Sequence, residues 1–149
     1  MAYEKKYTIT SDMIAQFGES TGDKNPLHFD EDFAATTRFK GKIVHGMLIG
    51  GLIGDCLTEY YGAGTIYVEQ FLKFKAPVRE NDVVKIRLHH QEYLKRWNFR
   101  CFPRRHRPNP YNRIKLHILA TVDDKTVIEG ETVIIAGNNE GFMSFTYQK

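Results

Sequence analysis

Three glycines spaced four apart, Gly46, Gly50 and Gly54, lie in an apolar stretch whose residues Met47, Leu48, Leu52, Ile53, Leu57 and Tyr61 recur at helical spacing. Residues four apart share one face of a helix, so the spacing predicts a long helix from Gly46 with a stripe lacking side chains. Each interior glycine costs about 1 kcal/mol relative to alanine. Keeping several predicts that another backbone comes very close to that face. In a longer apolar run this pattern would suit two helices meeting in a membrane. Here the run over 43–53 is interrupted by His45 and stopped by Asp55, too short to span a bilayer. Close packing of a buried helix against a sheet is the expected solution.

The rest of the chain supplies that sheet. Residues 3–10 read as an opening strand or arm. Ser11-Asp12 can cap a helix carrying Met13, Ile14 and Phe17 and ending near Gly18 or Gly22. Pro26 keeps Asn25 out of helical geometry, which predicts a turn over 22–27. Asp30 caps a short helix over 31–37, with Phe33 and Ala34 inward and Arg38 and Lys40 toward water. After the long helix the apolar period becomes two. Ile66, Val68, Gln70, Leu72 and Phe74 share one face of a strand, opposite Tyr67, Glu69, Phe71, Lys73 and Lys75. Val84, Ile86 and Leu88 mark a second strand, and Ile114, Leu116, Ile118, Ala120 and Val122 a third. Asp123-Asp124 predicts the hairpin turn into a fourth over 126–136. Helices first, one glycine-faced helix next and antiparallel strands last make an α+β domain with a sheet wrapped around a central helix.

At 149 residues, 42% apolar and 26% charged, the chain has the makeup of one globular domain spanning 1–149. No apolar leader follows the N-terminus, and Cys56 and Cys101 are too few for a disulfide framework. A cytoplasmic protein is expected. Charge is unevenly spread. Eight of the 21 basic residues fall in 95–115, which holds no Asp or Glu, leaving 13 basic against 18 acidic residues elsewhere. The segment 96–112 also carries Pro103, Pro108 and Pro110 and lacks steady alternation, so it reads as a long loop. A basic segment of this kind attracts polyanions or phosphorylated ligands.

The chemistry concentrates just before the helix, in Thr21-Gly22-Asp23-Lys24-Asn25-Pro26-Leu27-His28. Asp23 and His28 stand five apart across a turn, so a carboxylate and an imidazole can converge on one water and move its proton. Asn25 is placed to hold the loop. Gly46 can offer its backbone N–H, at the positive end of the helix, to an oxygen gathering negative charge. Adding water to an α,β-unsaturated thioester, or removing it from a 3-hydroxyacyl thioester, needs these parts and no redox or metal cofactor. Turn chemistry alone also accounts for Gly22, Asp23, Asn25 and Pro26, and that reading stays open on the residues themselves. Asp23, His28 and His45 do not follow a known metal-ligand spacing, so no metal is expected. His45 reads as a residue that sets the helix entrance.

The run from Thr21 to His28, with Ala34 six residues beyond the histidine, closely resembles the hydratase-2 motif of the MaoC-like family, and His45-Gly46-Met47-Leu48 resembles the start of that family's central helix. The resemblance implies a hotdog fold, a homodimer, and (R)-specific hydration of trans-2-enoyl thioesters or the reverse dehydration, a lyase reaction. It implies that Asp23 and His28 bind the catalytic water, that Asn25 supports their loop and that the Gly46 N–H holds the thioester oxygen. The substrate would be an acyl-CoA or acyl-carrier-protein thioester, with no cofactor, metal or membrane. The basic segment departs from the family's short connection, and Arg104, Arg105 and Arg107 are candidates for contacts to coenzyme A phosphates. Two other functions remain in view. One is an acyl-CoA thioesterase. The other is a non-catalytic hotdog subunit that binds a polyanion such as RNA through 95–115, where Trp97, Phe99, Phe102 and Tyr111 could stack on bases; nucleic acid is the less expected partner.

Overall fold

The computed structural model describes residues 2–93 and 113–137. The basic loop expected over 96–112, with Arg104, Arg105 and Arg107, and the aromatic tail with Phe142, Phe145 and Tyr147 lie outside the described residues. In chain order the elements are β1 (Ala2–Thr8), α1 (Ser11–Thr21), α2 (Pro26–Phe29), α3 (Glu31–Thr36), α4 (Gly46–Tyr61), β2 (Ile66–Phe74), β3 (Val83–Tyr93), β4 (Arg113–Val122) and β5 (Lys125–Ile135). The strands form one antiparallel sheet in the order β1-β3-β4-β5-β2. Among the described residues no helix is long and apolar enough to cross a membrane.

The core forms where the period-two strands meet α4. Val84, Ile86 and Leu88 of β3 and Ile114, Leu116, Ile118 and Ala120 of β4 are all buried, and so are Leu48, Ile49, Ile53, Cys56, Leu57 and Tyr61 of the helix. β-branched residues fill the strand positions, where their stiff side chains pack well on a pleated surface. Asp123 and Asp124 adopt φ of 46° and 61°, the left-handed pair that a tight two-residue hairpin requires. The edge strand β1 is tied to α4 by polar contacts. Lys5 pairs with Asp55 at 2.7 Å and also with Glu59, Tyr3 donates to Glu59 at 2.7 Å, and Tyr7 donates to Asp55 at 2.6 Å.

The structure corrects several expectations. The alternation in β2 is broken by a bulge between Tyr67 and Glu69. An extra residue in one strand turns everything before it to the opposite face. Tyr67 therefore shares the helix-facing side with Leu72 and Phe74. These three side chains, not a neighbouring backbone, occupy the glycine stripe. A Cβ on Gly46 would stand 2.5 Å from the Phe74 ring, while one on Gly50 would meet Leu72 at 3.6 Å and one on Gly54 would meet Tyr67 at 3.4 Å. Nor is the helix covered all round, because Met47, Gly51, Asp55, Thr58 and Glu59 are exposed. Of the pair assigned inward in α3, Ala34 is fully buried but Phe33 is exposed. The turn after α1 is shorter than expected, since Pro26 opens α2.

Backbone proximity is extreme at Gly130 in β5 and at Gly137 just beyond that strand. A Cβ on Gly130 would fall 2.0 Å from the Phe71 carbonyl oxygen, whereas one on Gly51 would meet nothing within 4 Å. Gly130→Ala is expected to destabilise the fold by about 1–3 kcal/mol, as overpacking does. Gly51→Ala is expected to stabilise it by about 0.4–1 kcal/mol by restricting the unfolded chain. Chemical denaturation of both variants checks the contrast, and a neutral Gly130→Ala would contradict the packing described.

Candidate active site

The site begins where α1 stops. Gly22 takes φ 76° and ψ 4°, and its N–H bonds back to the Gly18 carbonyl, a left-handed cap that suits glycine. Asp23 Oδ1 then accepts from the Asn25 N–H at 3.2 Å, and Asn25 Oδ1 accepts from the Leu27 N–H at 3.1 Å. Asn25 is thus the N-cap of α2, and Pro26 occupies its first turn, where a missing N–H matters least. The one-turn helix delivers His28. The His28 Nδ1–H donates to the Ile43 carbonyl at 2.7 Å. That bond sets the tautomer and leaves Nε2 with the lone pair.

His45 joins these pieces. Its Nε2–H donates to the Asp23 carbonyl oxygen at 3.3 Å, and the same nitrogen lies 4.0 Å from Asp23 Oδ2. Its ring stacks on that of His28 with centroids 3.8 Å apart, and Phe17 and Phe29 approach at 5.0 and 5.5 Å. Only 2% of the residue is exposed, and its Nδ1 has no hydrogen-bond partner. Burial holds the His45 imidazole below its usual range. His28 adds to this, while the hydrogen bond to Asp23 and the Asp23 charge pull the other way. His45 is also the N-cap of α4, so the residue that braces His28 and Asp23 is chain-adjacent to Gly46.

Asp23, His28 and His45 bring one donor atom each within 4.8 Å of one another. This trio is the group, among the described residues, whose donors are near enough to hold a metal ion, but Nε2 of His45 is already engaged by the Asp23 carbonyl. His28 and Gly46 line a cavity of about 580 Å³, with walls from Ile43, Val44, Met47, Ile49, Phe74, Val78 and Ile128. Asp23 is not among its lining residues; its half-exposed carboxylate stands beside His45. No side chain caps the N-terminus of α4. The positive end of the helix is open to an oxygen in the cavity.

Of the site residues expected from the sequence, Asp23 and His28 approach each other, Asn25 closes their turn and Gly46 lines the cavity with His28, while Arg104, Arg105 and Arg107 lie outside the described residues. The contribution of the His45 ring was not read from the sequence. A histidine immediately before the first glycine of an apolar helix was its only signal. The cavity wall from Arg38, Phe39 and Phe74 was also missed, because it assembles from separate elements.

The family described as MaoC like domain matches residues 1–100. The 3-hydroxybutyryl-CoA dehydratase of Methylorubrum extorquens is 36% identical over 130 residues, covering 87% of this chain and 74% of that relative. The (R)-specific enoyl-CoA hydratase of Rhodospirillum rubrum is 39% identical over 129 residues, covering 86% of this chain and 80% of the relative. Among solved structures, the unliganded R-hydratase PhaJ1 from Pseudomonas aeruginosa superposes with a TM-score of 0.76 at 33% identity, over 93% of this chain and 81% of the other. The fold is the hotdog fold expected from the resemblance.

The buried, neutral His45 has a consequence for stability. The unfolded chain takes up a proton near the ordinary histidine value of 6.5, while the folded chain resists it. The His45 contribution is therefore complete above that value and is lost as pH falls below it toward the lower folded-state value. Denaturation midpoints are expected to drop between pH 7 and pH 5.5, and to drop less steeply in His45→Phe, which keeps an aromatic ring on His28. Equal slopes would contradict this account.

Proposed function

This chain belongs to the MaoC-like domain family, and we propose that it is an (R)-specific hydratase of trans-2-enoyl thioesters that also runs the reverse dehydration. The relatives named above act as hydratase and dehydratase by name. The observation that carries the reading is local. His28, with its proton committed to the Ile43 carbonyl, and Gly46, at the start of α4, line one apolar cavity while the Asp23 carboxylate lies within reach of the histidine.

The chemistry follows from these positions. A water between Asp23 and His28 gives up a proton to this pair as its oxygen bonds to C3 of the enoyl group. The π electrons move toward the thioester, and the Gly46 N–H with the helix dipole stabilises the charge gathering on its oxygen. The proton taken from water returns to C2. Dehydration uses the same groups in reverse. Asn25 acts only by holding the Asp23–His28 loop. Apolar cavity walls keep other water away and accept a short or medium acyl chain.

Two further parts of the reading concern partners. A second copy of the chain covers the open β2 edge, where Ile66, Phe71 and Phe74 are each more than half exposed and Met47 lies nearby. A hydrophobic sheet edge left bare is an association hazard, and a homodimer removes it. Arg104, Arg105 and Arg107 add contacts to coenzyme A phosphates. The unit is a single hotdog domain over 1–149.

Addition of the protein to crotonyl-CoA is expected to remove the enoyl absorbance without releasing free thiol. Thiol release detected by a thiol-reactive dye would favour the thioesterase alternative. Asp23→Asn and His28→Ala are each expected to lower turnover by about 10²–10⁴, the range of acid–base groups. Full activity in both variants would defeat the assignment.

A further inference from the structure

We propose that Arg38, on the wall of the His28–Gly46 cavity, binds a phosphate of the arm that carries the acyl thioester, with Lys75 as a weaker second cation. This inference rests on the hydratase reading of the same cavity and adds a cation on the described cavity wall to the phosphate contacts that the reading gives to Arg104, Arg105 and Arg107. Among the described residues, the titratable side chains lining the cavity apart from His28 are Arg38 and Lys75, and no carboxylate lines it. Water addition has no use for either cation, since His28, Asp23 and the helix end supply its groups. An acyl chain has no use for them either. They suit a ligand whose other end is anionic.

The loop that carries Arg38 is built to hold still. Arg38-Phe39-Lys40-Gly41-Lys42 places three cations in five residues with no acid. Arg79 reaches this loop from the segment after α4 and β2, and donates Nη1 to the Lys42 carbonyl at 2.9 Å and Nη2 to the Phe39 carbonyl at 2.6 Å. Gly41 makes room for this clamp. It has φ 145°, and a Cβ there would stand 2.9 Å from Arg79 Nη1. Next to the clamped carbonyl, the Arg38 guanidinium lies over the Phe39 ring at 4.8 Å. Among the described residues Arg38 forms no salt bridge, whereas Lys75 is paired with Glu129 at 3.2 Å. Arg38 therefore has its charge free, and a guanidinium offers the planar fork that fits phosphate oxygens. A solvated arginine resting on an aromatic ring would need neither a clamped loop nor a place on this cavity.

A phosphate follows the pantetheine arm in coenzyme A and in a phosphopantetheinylated carrier protein alike, so the test separates the two. Saturated butyryl thioesters of pantetheine, 4′-phosphopantetheine and coenzyme A bind without turning over, and calorimetry gives their affinities. The unaltered protein is expected to bind the phosphorylated thioesters more tightly than butyryl-pantetheine. Arg38→Ala is expected to weaken butyryl-CoA by roughly tenfold, the scale of a charge-assisted contact at a partly solvated site, and to narrow the gap to butyryl-pantetheine. Arg38→Lys should restore part of it, and Lys75→Gln should produce a smaller loss. If Arg38→Ala also weakens the 4′-phosphopantetheine thioester, the contact is to the phosphate common to both carriers. If it weakens only the CoA thioester, the contact is to the nucleotide end. The proposal is overturned if the unaltered protein binds all three alike, or if Arg38→Ala weakens all three by the same factor. Turnover of crotonyl-CoA is read separately, so its absence would remove the hydratase reading without deciding the affinity comparison.

Discussion

The hydrogen bond from His45 Nε2 to the Asp23 carbonyl is the tie on which the rest of the site depends. A loop made of Gly, Asp, Asn and Pro can form several turns of similar energy. One neutral hydrogen bond in water contributes only about 1 kcal/mol, too little to hold such a loop. Beside Phe17, His28 and Phe29, where the His45 ring is buried, the same bond is electrostatically stronger. It joins the loop to the first turn of the longest helix, and the His28 stack on the same imidazole adds a second contact. The arrangement has a cost. His45 Nδ1 is buried without a partner, and such a group costs about 1–3 kcal/mol. That a fold keeps an unpaired polar atom at this place agrees with the pattern that local rules are broken at functional sites.

Turn formation and chemistry, which looked like rival explanations of the Asp23–His28 run, use different atoms of the same residues. Asp23 Oδ1 closes the turn to the Asn25 N–H, and Oδ2 faces His45. Asn25 spends its side-chain oxygen on the Leu27 N–H and so caps the one-turn helix. His28 uses Nδ1 on the Ile43 carbonyl and keeps Nε2. A short, exposed loop can therefore present reactive atoms in a defined geometry without a large supporting framework.

Much of the fold was legible because its signals are local. Helix α4, strands β3 and β4 and the Asp123-Asp124 hairpin follow from spacing and turn chemistry within a dozen residues. In strand β2 the bulge puts Tyr67 on the face opposite to the one that simple alternation predicts, since an extra residue flips the alternation and leaves no mark in composition. The glycine stripe is legible in the sequence, but its occupants are not. Rather than a close backbone, the rings of Phe74 and Tyr67 and the Leu72 side chain fill it. Phe33 was assigned inward beside Ala34, although neighbouring positions on a short helix point in different directions and only one can face the core.

By itself, the sequence determined which residues are candidates for the reactive groups, the helix that begins at Gly46, the α+β class and the family resemblance. Each of these depends on residue type and spacing along the chain. The tertiary structure alone decided which histidine nitrogen is free, because the Ile43 carbonyl that fixes it lies 15 residues away. It also decided that His45 is buried and neutral, and that Arg79 holds the loop of Arg38 from 40 residues further on, by its bond to Phe39. Hydrogen-bond partners, burial and cavity walls arise from segments brought together in space. Contacts of that kind depend on how the elements pack, which local pattern does not encode.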